Sequence, residues 1–311
     1  MTDKNTAEPQ STADHQPHQH EGKESERASK RRKPSARSLI AAAVAAIALV
    51  TLGMWWYVNI QMPHAEATRV FEAAANGLEQ RNIELDGAIL DLQDLMGSDE
   101  SPLDPTTLDA ASAAIGAAQA AKQDVPEMPV GTDDIRATAE DIDGMGDYTA
   151  ELEALTAAQA NLRQSIDQLK QVTDPSEQFV LERLSGLPSI TGTEAVTEQN
   201  DPNGNLHKDG GYTSAVYFSS DLVDTSQLYA QPGYTGIPAV GTDAGGCVEV
   251  YATAEDAEER NDYLASFDGT ILNSGSHTVA GTCVIRVSYL LTASEQDAIE
   301  QSIVDSLTRL A

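Results

Sequence analysis

A single uninterrupted apolar run, Leu39 to Val58, constrains this chain more than any other feature. It is entered from Lys30-Arg31-Arg32-Lys33 and left through Trp55-Trp56-Tyr57. At about 1.5 Å per residue, some 20 helical residues match a hydrocarbon core of about 30 Å. The basic flank favours a cytoplasmic N-terminus, and the aromatic exit suits the opposite interface. A cleaved signal peptide is the competing reading, because Ala65-Glu66-Ala67 offers small residues at cleavage spacing. Signal peptides have shorter apolar cores and shorter charged starts, whereas 38 mostly polar residues precede this one. The expectation is an uncleaved, single-pass, type II anchor in the cell membrane, with everything after Ile60 extracytoplasmic. No Cys lies near the end of the run, which excludes lipoprotein attachment.

Charge divides at the same place. Residues 1–37 carry eight Lys/Arg and six Asp/Glu, leaving 11 basic and 43 acidic residues beyond the span, a net charge of −32. Such a field repels nucleic acid and anionic lipid, which bind through Lys/Arg contacts, so no nucleic-acid partner is expected. The first 37 residues lack the apolar side chains a core needs and read as a disordered cytoplasmic tail. His15, His18 and His20 within it could at most hold a transition metal weakly, and no cofactor is expected.

Four regions follow: the tail 1–37, the transmembrane helix 38–60, a helical stalk 61–174 and an α+β domain 175–311. In the stalk, Phe71, Leu78, Leu85 and Leu92 recur every seven residues, with Ala75, Asn82, Ile89 and Met96 in the companion positions. This is coiled-coil spacing. An Ala-rich stretch from Thr107 to Gln123 makes a second helix, and Thr132 to Val172 a third, interrupted near Gly144 and Gly146. The seams close either into an all-α elongated antiparallel bundle or into a coiled coil between two chains, a homodimer. After Pro175 the texture becomes Gly, Thr, Ser, Tyr and alternating apolar residues. Strands are expected near 190–197, 212–219, 248–251, 270–272 and 277–290, the last broken at Gly281. Helices are expected at 177–187 and 254–266, and a terminal helix follows the capping-box spacing of Thr292 and Glu295. An α+β sandwich with an antiparallel sheet accommodates them.

Cys247 and Cys283 are the only cysteines, both in the exported region, and an even count in an oxidising compartment predicts a disulfide. A catalytic Cys247 with His277 as base lacks the electropositive surroundings that activate a thiol. Asp201-Pro202-Asn203-Gly204-Asn205 begins like an EF-hand loop but fails it at Leu206 and Tyr212, and reads as a turn. The exported lysines Lys122, Lys170 and Lys208 lack a Ser three positions earlier, and neither a Gly-x-Ser-x-Gly elbow nor a paired-His motif is present. Asp268-Gly269-Thr270 and Ser274-Gly275-Ser276-His277 place polar groups on loops beside a strand. Arg260 and Arg286 lie close by in sequence. Arg260, Asp268, Ser276, His277 and Arg286 are therefore the ligand-binding candidates, set against plain turn chemistry and salt bridges.

The phrases Gly210-Gly211-Tyr212, Gly245-Gly246-Cys247-Val248-Glu249-Val250-Tyr251, Arg260-Asn261-Asp262-Tyr263-Leu264 and Phe267-Asp268-Gly269-Thr270 carry a resemblance. With Asp201-Pro202-Asn203-Gly204, Ser274-Gly275-Ser276-His277 and Thr292-Ala293-Ser294, they resemble a family of uncharacterised single-pass envelope proteins of actinobacteria. Some of these bear extracellular-matrix-binding labels. The resemblance covers about 110 residues and implies an envelope location and a real C-terminal domain, with no reaction or ligand. Ser is usual in that family where Cys247 stands. The functional expectation is an anchored protein presenting a partner- or ligand-binding domain on a stalk, an envelope protein or wall component being the partner, without catalytic activity. The alternatives are a scaffold that oligomerises through the stalk and a wall-associated enzyme with an unrecognised site.

Overall fold

The computed structural model describes residues 36–233 and 235–310. The tail, with His15, His18, His20 and the Lys30–Lys33 cluster, lies outside the described residues. The apolar run forms α1 (Ala36–Trp56), followed by a π-helical turn (Tyr57–Gln61) and α2 (Met62–Met96). Among the described residues this is one helix long and apolar enough to cross a membrane. The chain separates into two compact units, one ending at His64 and one spanning Ala65–Ala311.

In the second unit the heptad of α2 is buried by its own chain. Phe71 and Leu78 cluster with Ile135, Ala139 and Ile142 of α4 (Thr132–Asp143). Leu85, Ile89 and Leu92 cluster with Ala111, Ile115 and Ala118 of α3 (Thr106–Ala121) and with Leu155, Leu162 and Ile166 of α5 (Thr149–Gln171). The alanines of α3 let it lie close to α5. Asn82 sits beside this core as a polar clip: its Oδ1 accepts from the Tyr148 hydroxyl at 2.6 Å, and its Nδ2 donates to the Gln123 carbonyl at 2.9 Å. The helix break falls where the glycines predict it. Gly146 has φ +70°, and a Cβ there would come within 2.6 Å of Leu78 Cδ1.

Five strands form one antiparallel sheet in the order β1-β2-β3-β5-β4: β1 Ile190–Ala195, β2 Ser214–Ser220, β3 Gly245–Val250, β4 His277–Ala280 and β5 Cys283–Val287. On one face, Val216, Phe218, Val248, Val250 and Ile285 meet α6 (Glu177–Leu184) and the Ile299, Ile303, Leu307 stripe of α8 (Ala293–Thr308). On the other, Tyr217, Cys247 and Val284 meet Ala257 and Leu264 of α7 (Ala254–Ala265) and Tyr212. The capping box of Thr292 and Glu295 is present.

Two expectations are corrected. Cys247 and Cys283 form no disulfide and are both free and buried. In the β3–β5 register Cys247 pairs with Arg286 and Cys283 with Val250, three positions away. Cys283 belongs to the core under α8 and Cys247 to the core under α7, so the thiols point to opposite faces of the sheet. Residues 270–272 form turns, with Thr270 Oγ1 donating to the Phe267 carbonyl at 2.6 Å, and Ile271 is fully exposed with no strand beside it.

The two ends of the sheet differ. At one, α5 runs directly into the β4–β5 turn: the Thr282 amide donates to Val172 O at 2.9 Å, and the Asp174 amide donates to Thr282 Oγ1 at 2.7 Å. Gly281, at φ +62°, is required there, because a Cβ would approach Val172 O to 2.5 Å. At the other end β1 and β4 begin, β3 begins, and β2 and β5 finish. The segments 185–189, 221–244, 266–276 and 288–292 connect to the strands at this free end, and the 221–244 connection also runs back along β1, where the Ile237 amide donates to Glu194 Oε2 at 2.8 Å.

Candidate functional site

Two of the five sequence candidates, Arg260 and Arg286, converge on the α7 face of the sheet, around an acidic residue that sequence reasoning missed. Glu249 on β3 is completely buried. Arg260 on α7 donates to it through Nε at 2.8 Å (Oε2) and Nη2 at 3.1 Å (Oε1). Arg286 on β5 donates through Nη1 at 2.7 Å, and the Tyr251 hydroxyl donates at 3.0 Å. Burial pushes the Glu249 carboxyl up, but the two guanidinium groups outweigh it and hold the carboxyl below its ordinary value. The anion that Arg260 and Arg286 face is the protein's own. A Glu between two valines in a strand ordinarily reads as a solvent-facing residue, which is why the sequence concealed it.

His277 and Asp268 form an adjoining pair. His277 lies opposite Arg286 in the register. Its Nδ1 is 2.7 Å from Asn261 Oδ1, and its Nε2 is 3.4 Å from Asp268 Oδ1. The imidazole thereby links β4, α7 and the loop that follows α7. Ser276 Oγ is buried without a hydrogen-bond partner and is not joined to His277, so these two form no Ser-His relay. Cys247 Sγ lies 3.9 Å from Glu249 Oε1. Burial and this carboxylate push its thiol up to about 12, the opposite of an activated nucleophile. Burial likewise raises Cys283 to about 12.

The Asp201 loop is a self-contained turn. Asp201 accepts from the Asn203 amide at 3.0 Å, the Leu206 amide at 2.8 Å and the Tyr212 hydroxyl. Burial raises its carboxyl and these donors more than compensate, so it stays below the ordinary range. Among the described residues no group of three or more His, Cys, Asp or Glu could hold a metal ion. A depression of about 650 Å³ lies between α5 and α8 and is lined by Gln168, Gln301, Ser302 and Asp305, with no nucleophile–base pair.

The free end of the sheet has a different character. Beyond Pro175, the exposed large apolar residues among the described ones are Leu222, Tyr229, Tyr263, Ile271, Leu272, Tyr289 and Leu310. All but Leu310 sit on the free-end loops or on the last turn of α7, which runs toward them. Tyr229 is 72%, Leu272 65% and Ile271 fully exposed. Tyr263 packs edge-on against Phe267 at 5.1 Å, anchoring the base of the 266–276 loop.

No protein-family model, curated protein or solved structure matches the chain.

Proposed function

We propose that this is a single-pass cell-envelope protein whose extracytoplasmic α+β domain binds a partner through the free-end loops of its sheet. Residues 38–60 anchor it in the cell membrane with the N-terminus cytoplasmic, and the bundle of α2 to α5 serves as the stalk. The anchor rests on the length and apolarity of the helix, on the basic cluster before it and on the acidic chain after it. The resemblance to actinobacterial envelope proteins points the same way.

One observation carries the binding reading: five exposed large apolar side chains, Leu222, Tyr229, Ile271, Leu272 and Tyr289, lie on the loops that join the strands at the end opposite the attachment of α5. Loops on a rigid sheet are where recognition concentrates. Tyrosine supplies contact area at low entropic cost.

The test is photocrosslinking in intact cells with the full anchored chain, placing a photoreactive residue at Ile271 or, as control, at exposed Ile83 of α2. A discrete adduct specific to Ile271 is expected. Adducts at both positions alike, or at neither, sink the proposal.

A further inference from the structure

We propose that residues 124–130, in the connection between α3 and α4, are a polyproline II ligand for a protein groove walled by aromatic rings with a Lys or Arg beside it. This surface belongs to the helical bundle and is independent of the free-end loops.

The residues set the conformation. The rings of Pro126 and Pro129 fix φ at about −65°, and Val125 and Met128, each preceding a proline, are pushed out of the helical region into the extended one. The flanks agree: Lys122 has φ −59° and ψ 132°, and Gly131 has φ −79° and ψ 136°, both close to polyproline II geometry. Residues 122–129 belong to no helix or strand. Among the described residues, no backbone amide or carbonyl from Asp124 to Val130 is hydrogen-bonded to another backbone group. A polyproline II helix likewise has no internal hydrogen bonds.

Exposure follows the same period. With three residues per turn, every third side chain lies on one edge. Pro126 and Pro129 are half-buried against the protein, whereas Val125 and Met128 on a second edge, and Asp124, Glu127 and Val130 on the third, are exposed. Val130 is 92% exposed.

The need to join two helices explains an extended connection but not this lining. A spacer is served by polar residues, yet Val125, Met128 and Val130 turn apolar side chains to water along a backbone whose carbonyls are free to accept. Aromatic-lined grooves take such segments because the ligand is already extended and loses little freedom on docking. Val125 and Met128, one turn of about 9 Å apart, suit adjacent slots between rings. Asp124 and Glu127 on the neighbouring edge call for a cation at the groove's rim. The same carboxylates disfavour an anionic membrane or a nucleic acid.

The test is photocrosslinking of the full anchored chain in the cells that make it, with a photoreactive residue replacing Val130 or, as control, exposed Leu90 of α2. A discrete adduct with a second protein is expected from position 130 and not from position 90. Tandem mass spectrometry should place it in the partner beside Phe, Tyr or Trp. Val125→Ser with Met128→Ser should reduce the yield at least fivefold, and Asp124→Asn with Glu127→Gln at least threefold. Asp91→Asn with Asp94→Asn, exposed on α2, should change it less than twofold. All the substituted side chains are exposed, and an unchanged thermal midpoint checks the fold. The proposal is overturned if no adduct forms, if the adduct joins lipid or a second copy of this chain, or if it maps to a partner surface without aromatic residues. It is equally overturned if the Val125 and Met128 variant leaves the adduct intact, or if the α2 variant weakens it as much as the variant neutral at Asp124 and Glu127.

Discussion

Glu249 is the residue on which the α7 face turns. A buried ion pair adds little net stability over a well-packed apolar replacement, yet removing one partner leaves charge stranded, at a cost of about 3–5 kcal/mol. Glu249→Gln leaves Arg260 and Arg286 without a counterion and should lower the thermal midpoint markedly, with a loss near 3 kcal/mol. Replacing all three together by Met or Leu should recover most of that loss, and a triple variant no better than the single one would deny that the charges are coupled. Acid should act through the same carboxyl and through Asp201. Both are held below their ordinary values in the folded state, so the folded chain binds fewer protons than the unfolded one. Their contribution is therefore complete above the unfolded carboxylate range, about 4, and is lost as pH falls through the depressed folded values. Melting followed from pH 7 to pH 2 should show a steep fall below about pH 4, shallower in Glu249→Gln. The thiols give a third check at this scale. With Cys247 and Cys283 on opposite faces of the sheet, two thiols should react in denaturant without reductant and essentially none in the native protein; labelling that needs reductant would restore the disulfide.

At the scale of elements, the heptad of α2 makes the sharpest statement. Leu85 is completely buried against α3 and α5, so Leu85→Ala should cost about 2–5 kcal/mol at any protein concentration. A seam shared between two chains would instead make both the melting temperature and the effect of the variant depend on concentration. Periodicity made α2, α5 and α8 legible in the sequence, because a 3-4 or 3-4-7 stripe needs a covering surface wherever it lies. The same periodicity could not say whether the cover came from the same chain. That was decided by residues with no period: the Gly144–Gly146 break that turns α4 back into α5, and Asn82 meeting Tyr148 and Gln123. The strands were legible by alternation, except at 270–272, where Thr-Ile-Leu has strand composition but no neighbour to pair with. Arg260, Asp268, His277 and Arg286 were recognised as neighbours. Glu249 was not, since only the register that sets β3 between β2 and β5 buries it.

For the whole molecule, the net charge of −32 beyond the span sets the terms. Self-repulsion of that size destabilises the compact state, and its long-range part is screened over about 10 Å at 0.1 M salt. Raising monovalent salt from about 0.02 to 0.5 M at pH 7 should therefore raise the melting temperature of the full chain by a few degrees. The buried Glu249 network is inaccessible to ions and should contribute nothing to that shift, so Glu249→Gln should melt lower but respond to salt with the same slope. A melting temperature that falls with salt would mean that attractive surface pairs, such as Lys122–Asp86 and Lys170–Glu100, outweigh the repulsion.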